Sequence, residues 1–435
     1  LLKAIKNHTL FQTFKSLDRH SKAVVWTEPL WGIPFHLYIP FVALYKAALG
    51  LSDSQIGLLA SLTMLVSIIS GLLSGAITDK LGRRLTTLLA DLLSWSVPCL
   101  IWAFSQNFWW FMVAASFNGL WQISNTSWSC LLVENVEKKH VVNVWQLIYL
   151  SGQLVVFFAP LSGMMVRTLD VAPAMRILYL FSFFSMTAKC TLMYGFGGET
   201  EQGKRRMGET KDASIISLLA GYGSVTKRLL RSREIVKVML FTVFLTIGST
   251  AVSTFFGLYA TQNLGLPRDI LAYLPILRAG VMLSFFFILV RVLDKVSFRK
   301  PVLVGITLFV TGQILLILST RWAGTAAIYP TIFIYIVLEA FGFAMVFPRR
   351  DSLMAIIINP QERARMTCII NALVTVIVMP FGFISGILSG IDRRMPFALA
   401  IVMMAAAFTL VFFIKINMQQ NEEIKLGDIT EEDTT

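Results

Sequence analysis

The chain has 435 residues, of which 56% are hydrophobic and 14% charged, with a formal net charge of +13. Soluble domains carry roughly 25% charged residues, so this composition excludes an ordinary soluble domain. The apolar runs are continuous rather than alternating, which excludes a transmembrane β-barrel. The excess positive charge lies between the runs, as expected for membrane-flanking loops rather than for a nucleic-acid-binding surface.

Taken in chain order, residues 1–23 form a cytoplasmic amphipathic segment, with Leu1, Leu2, Ile5, Leu10, Phe11 and Phe14 on one side. A membrane span needs about 20 apolar residues. Windows of that length place spans at 24–45, 55–77, 85–105, 107–133, 142–166 and 174–196. A polar stretch at 197–233 follows and cannot sit in lipid. It reads as a cytoplasmic linker holding an amphipathic helix. Six more spans lie at 234–259, 270–291, 301–320, 327–357, 366–390 and 395–415, and residues 416–435 form an acidic cytoplasmic tail. The fold class is therefore an all-α polytopic membrane protein, with twelve transmembrane helices in two six-helix repeats at 24–196 and 234–415.

The two halves echo each other. Asp79-Lys80 after the second span recurs as Asp294-Lys295 after the eighth, and Arg84 recurs as Arg299 at the same offset. Parallel repeats of this kind build transporters whose substrate site lies between the halves. Basic residues crowd one set of loops, among them Lys80, Arg83, Arg84, Lys204, Arg205, Arg206, Arg299 and Lys300. The positive-inside rule then puts both termini in the cytoplasm. The four cysteines, Cys99, Cys130, Cys190 and Cys368, fall within spans and lack metal-ligand spacing.

The most specific string is Gly75-Ala76-Ile77-Thr78-Asp79-Lys80-Leu81-Gly82-Arg83-Arg84. Read physically, Gly75 lets another helix approach closely and Gly82 permits a tight turn. Asp79 can face the positive N-terminal end of a helix. The string resembles the signature loop of the major facilitator superfamily. Thr27–Pro34 and Phe347–Asp351 resemble a bacterial branch of it to which no substrate attaches. The resemblance implies that Asp79 packs against the eleventh span in one conformation, and that an acidic residue ending the fourth span, here Glu134, binds the arginines. The second copy, Asp294 to Arg299, has lost its glycines. Ala159-Pro160-Leu161-Ser162-Gly163 matches the helix-5 pattern of drug-efflux members at only two strict positions.

Ionisable residues within a span cost roughly 2.5–3.5 kcal/mol on insertion scales, so each is a functional candidate. Glu28, Asp91, Lys189, Arg349, Arg350 and Asp351 lie toward the cytoplasmic ends of their spans and are expected to form a gate of paired charges. Glu339, Arg278 and His36 lie deeper. The resemblance implies a cavity lined by the first, fourth, seventh and tenth spans. Polar residues there are His36, Tyr38, Gln122, Asn125, Thr246, Ser249 and Glu339, with Arg278 beside them; Trp121 and Trp128 can stack on a ligand. Glu339 is the expected proton carrier, and a static ion pair with Arg278 is the rival reading.

No Gly-x-Ser-x-Gly, phosphate-binding loop or His-Glu-x-x-His occurs, so no enzyme constellation is evident. The sequence reading is a secondary active, proton-coupled transporter of a small organic solute, working by alternating access in the cell inner membrane. It is expected to act as a monomer, without cofactor, metal or nucleic-acid partner. A multidrug antiporter of the same fold, or a non-transporting membrane receptor or scaffold, is the alternative.

Overall fold

The computed structural model describes residues 14–137, 141–212, 222–293, 299–357 and 363–414. Asp294, the first residues of the N-terminal segment and the acidic tail lie outside them. Every expected span falls on helix, and no strand forms among the described residues.

The first span is broken into α1 (Arg19–Thr27), α2 (Pro29–Tyr38) and α3 (Val42–Ala48), with a 3-10 turn at Ile39–Phe41. Pro29 and Pro40 mark the two breaks, because each lacks the N–H that a continuous helix requires, while Pro34 sits inside α2. The second span, α4 (Asp53–Leu81), starts in a capping box. The Gln55 N–H donates to Ser52 Oγ at 3.3 Å, and the Ser52 N–H donates to Gln55 Oε1 at 2.9 Å. It stops at Gly82, whose φ of +82° suits glycine.

The third span is α5 (Arg83–Asp91), a π-turn at Leu92–Ser96, and α6 (Val97–Phe104). The fourth divides into α7 (Phe108–Asn118) and α8 (Trp121–Val133). There follow α9 (Val141–Val155), α10 (Ala159–Leu169) and α11 (Val171–Phe196). The linker contains α12 (Glu201–Glu209) and α13 (Tyr222–Arg231). The second half comprises α14 (Arg233–Gln262), α15 (Leu274–Leu293), α16 (Arg299–Leu318), α17 (Ile328–Ile357), α18 (Arg363–Ile391) and α19 (Met395–Phe413).

Among the described residues nine helices are long and apolar enough to cross a membrane. The first, fourth and eighth expected spans are not in that set. The first and fourth are interrupted, and the fourth also carries Gln122, Ser124 and Asn125.

The surface is apolar, with Trp109, Phe184, Ile391 and Phe413 exposed, while many serines are buried. That inversion suits a lipid solvent. Buried hydroxyls bond to backbone, as Ser70 does to the Gly119 carbonyl at 2.8 Å.

The two halves meet most extensively along α4 and α18. At the Ser52 end the contact is backbone to backbone. A Cβ on Gly57 would stand 2.3 Å from the Gly382 carbonyl oxygen and 2.9 Å from the Gly386 Cα. Ser61 donates to the Met379 carbonyl at 2.6 Å and accepts from the Phe383 N–H at 2.9 Å. Asp53 bonds Ser389 and pairs with Arg393 at 3.4 Å. Arg268 pairs with Asp170 across the halves at the same end. Toward the other end of α4, a Cβ on Gly75 would meet no atom of the described residues within 4 Å. Among the described residues, no helix makes the approach expected at Gly75.

Candidate functional site

Each half carries its own polar cavity. In the first half a cavity of about 370 Å³ is lined by Glu28, Asp91, Lys189, Trp31, Phe35, Trp95, Asn118, Trp121, Ser124, Asn125 and Trp128. Glu28 stands at the break between α1 and α2, Asp91 at the end of α5 before the π-turn, and Lys189 on α11. Lys189 Nζ donates to Asp91 Oδ2 at 2.6 Å, and the two side chains are 5% and 4% exposed. Glu28 Oε2 is buried and has no hydrogen-bond partner. The Trp128 indole N–H lies near the Glu28 carboxyl and favours its charged form, though without full hydrogen-bond geometry. Trp31 stacks on Phe35 at 4.8 Å between ring centroids and meets Trp95 edge-on at 5.2 Å.

In the second half a cavity of about 510 Å³ is lined by Ser249, Thr250, Ser253, Arg278, Tyr335, Glu339 and Phe343, with Ile39 and Pro40 contributed by the first half. Arg278 grips Glu339 through two bonds, Nε to Oε2 at 2.8 Å and a terminal nitrogen to Oε1 at 3.2 Å. Its guanidinium also lies 4.7 Å over the Phe343 ring.

Among the described residues, the signature loop is engaged by the first half and the linker. Arg83 pairs with Asp79 at 3.0 Å and with Glu134 at 3.0 Å. Arg206 from α12 pairs with Asp79 at 2.7 Å, and Thr210 donates to the Asp79 carbonyl at 3.1 Å. The Asp79 carboxylate holds the Arg206 guanidinium above its ordinary pKa. Glu199 accepts the Arg83 and Arg84 N–H groups at 3.1 and 3.0 Å. Arg84 turns away from Glu134, donating to the Tyr194 carbonyl at 2.9 Å and lying 3.9 Å over that ring. Thr200 completes the cluster through a bond to Glu134. Lys80 sits beside this cluster on α4, and Arg299 donates to the Ile414 carbonyl at 3.0 Å.

The six expected gate residues divide. Glu28, Asp91 and Lys189 share the first cavity; Arg349, Arg350 and Asp351 do not line it. Arg350 instead pairs with its neighbour Asp351 at 2.7 Å and covers the Phe347 ring.

Trp121, Trp128 and Asn125 line the first cavity, and Ser249, Arg278 and Glu339 the second. His36, Tyr38, Gln122 and Thr246 line neither. Tyr38 is a core residue, 3% exposed and packed on Tyr179. His36 packs edge-on against Phe35, Gln122 covers Gly71, and Thr246 bonds back to the Thr242 carbonyl at 2.7 Å. Sequence reasoning missed Trp31 and Trp95, which lie one helical turn or so from Glu28 and Asp91. It also missed Glu199, Thr200 and Asp53. Thr200 was readable as an N-cap, since an acidic residue follows it at once.

Residues 36–399 match the MFS_1 like family. An uncharacterized MFS-type transporter, YqjV of Bacillus subtilis (strain 168), is 31% identical over 128 residues, covering 29% of this chain and 31% of that protein. The multidrug resistance protein MdtG of Serratia proteamaculans (strain 568) is 35% identical over 96 residues, covering 21% of this chain and 23% of that one. The chain thus spans under a third of the length of these curated relatives. A crystal structure of a point mutant of the nucleoside transporter NupG superposes with a TM-score of 0.73 at 11% identity, over 91% of this chain and all of the other.

Proposed function

The chain belongs to the MFS_1 like family and is a multi-pass membrane transporter of the major facilitator type, and on that premise we propose that it moves a small organic solute by alternating access, driven by protons. In this reading the two six-helix units at 24–196 and 234–415 rock about the α4–α18 seam. Both termini face the cytoplasm, and the membrane is the bacterial inner membrane.

One observation carries the reading: the seam is asymmetric. Its Ser52 end is shut by glycine-to-glycine contact, while a Cβ on Gly75 near the Asp79 end would meet no atom of the described residues within 4 Å. A close approach of α18 at Gly75 has room to form only when the Ser52 end opens. With the basic loops inside, this state is inward-facing.

The test uses single cysteines at Ser52 and Gly208 in a background lacking native cysteines. Gly208→Cys is expected to label only from inside. Ser52→Cys is expected to label from outside, faster when a proton gradient drives turnover. Labelling of Gly208→Cys from outside would overturn the orientation. A gradient-independent Ser52→Cys rate would overturn the cycle. A second reading, multidrug efflux, is favoured by the likeness to MdtG.

A further inference from the structure

We propose that the first-half cavity binds an organic cation, an amine or quaternary ammonium with an apolar or aromatic body, with Glu28 as its counter-ion. The proposal rests on the transporter reading and names its substrate class.

Charge bookkeeping comes first. The cavity holds two carboxylates and one ammonium. Lys189 bonds Asp91 at 2.6 Å, and this one ammonium faces both carboxylates, so one negative charge is left over in the cavity. The Glu28 Oε2 is buried, and among the described residues no group donates to it at hydrogen-bond geometry, although the Trp128 indole N–H lies near the carboxyl. A buried carboxylate oxygen without a partner costs the full desolvation penalty of that group, so a ligand that supplies a positive charge or a donor there is favoured. An anionic ligand would meet a like charge at the same place.

The walls are the second observation. Trp31, Phe35, Trp95, Trp121 and Trp128 surround the carboxylate. Indole faces carry the electronegative side of the ring quadrupole and are the best side-chain surface for a cation. Their breadth also accepts an apolar body of no fixed shape. The volume, about 370 Å³, falls in the range of small-molecule sites. The second-half cavity contrasts on the decisive point. There Glu339 is held by Arg278 through both oxygens, so no charge is left over.

A consequence is competition. One carboxylate oxygen cannot hold a proton and neutralise a bound cation at once. Cation and proton would therefore exchange at Glu28, with Asp91 and Lys189 the charged groups facing it.

The experiment measures quenching of tryptophan fluorescence in the purified full-length chain by tetraphenylphosphonium and by tetraphenylborate, which share a shape and differ in sign. Tetraphenylphosphonium is expected to bind and to release protons as it does so, while tetraphenylborate binds far more weakly. Glu28→Gln, checked for an unaltered unfolding temperature, is expected to weaken the cation by about tenfold or more. Equal binding of the two probes by the native chain would overturn the proposal even if the variant failed to fold. Undiminished cation binding in folded Glu28→Gln would overturn it too. If the cation fails to bind while Ser52→Cys labelling still responds to a proton gradient, this inference falls and the transporter reading stands.

Discussion

Each half of the molecule sets a cation against a carboxylate, and the two pairs live in different surroundings. Lys189 and Asp91 are 5% and 4% exposed, with a second carboxylate, Glu28, close by. Arg278 and Glu339 are 36% and 15% exposed and face a larger cavity. A dry pair is held by its low-dielectric surroundings and is costly to break. A pair that water reaches is screened, and its members part more readily. The contrast suggests that the first pair serves as a fixed scaffold beside Glu28, and the second as the one able to open during a cycle.

The largest expected effect tests the dry pair. Lys189→Met leaves two carboxylates together without a cation, and stability is expected to fall by about 3–5 kcal/mol. Thermal unfolding in detergent reads this. Adding Asp91→Asn should recover most of the loss. If the single change is tolerated, the pair is wetter than its burial indicates and the contrast collapses.

A smaller loss is expected in the other half. Glu339→Gln leaves Arg278 facing a cavity that water can enter, so roughly 1.5–3 kcal/mol should go with the charge-assisted bonds. Combining it with Arg278→Met should restore stability. Proton-driven transport by that double variant would show that Glu339 is a structural partner rather than the proton carrier.

The smallest effect is expected at the surface. Arg206→Ala removes a bridge in which the guanidinium is 35% exposed. Exposed pairs are worth about 0–1 kcal/mol, so the unfolding temperature should barely move. A loss as large as that of Lys189→Met would make α12 part of the stable core rather than a clasp.

The spans were legible because lipid demands long apolar runs, and a run survives any detail of packing. Breaks within them were harder. The first span was read as one run although it holds Pro29 and Pro40 at its breaks, and the π-turn at Leu92–Ser96 went unread although Pro98 has no N–H for the Ser94 carbonyl, to which the Asn118 side chain donates at 2.9 Å. At the signature loop, Asp79 and Arg83 stood out in the Gly75–Arg84 string, and the resemblance to the major facilitator signature implied Glu134. Glu199 and Arg206 were not, because a linker some distance along the chain supplies them. Depth along a span told how far Glu339 and Glu28 sit from the interface. It could not tell which carboxylate had found a cation, since that depends on the rotation of neighbouring helices about their axes. Tyr38 shows the same limit: a polar atom on a cavity-lining helix was turned toward Tyr179 and the core.

The clasp between α12 and the signature loop also sets a tether length. α12 packs on α4 in the first half, and α13 packs on α14 and α18 in the second. Both parts of the linker are thus claimed by one half or the other, and residues 211–221 alone join them. A fully extended chain of that length reaches at most about 35–40 Å. The two halves can swing apart at this end only as far as that leash permits. Releasing α12 from the loop, through the Arg206 and Thr210 bonds to Asp79 and the Thr200 bond to Glu134 together, would lengthen the leash by its residues, and deletions within 211–221 would shorten it, so under the proposed cycle the linker bounds the opening as the helices do.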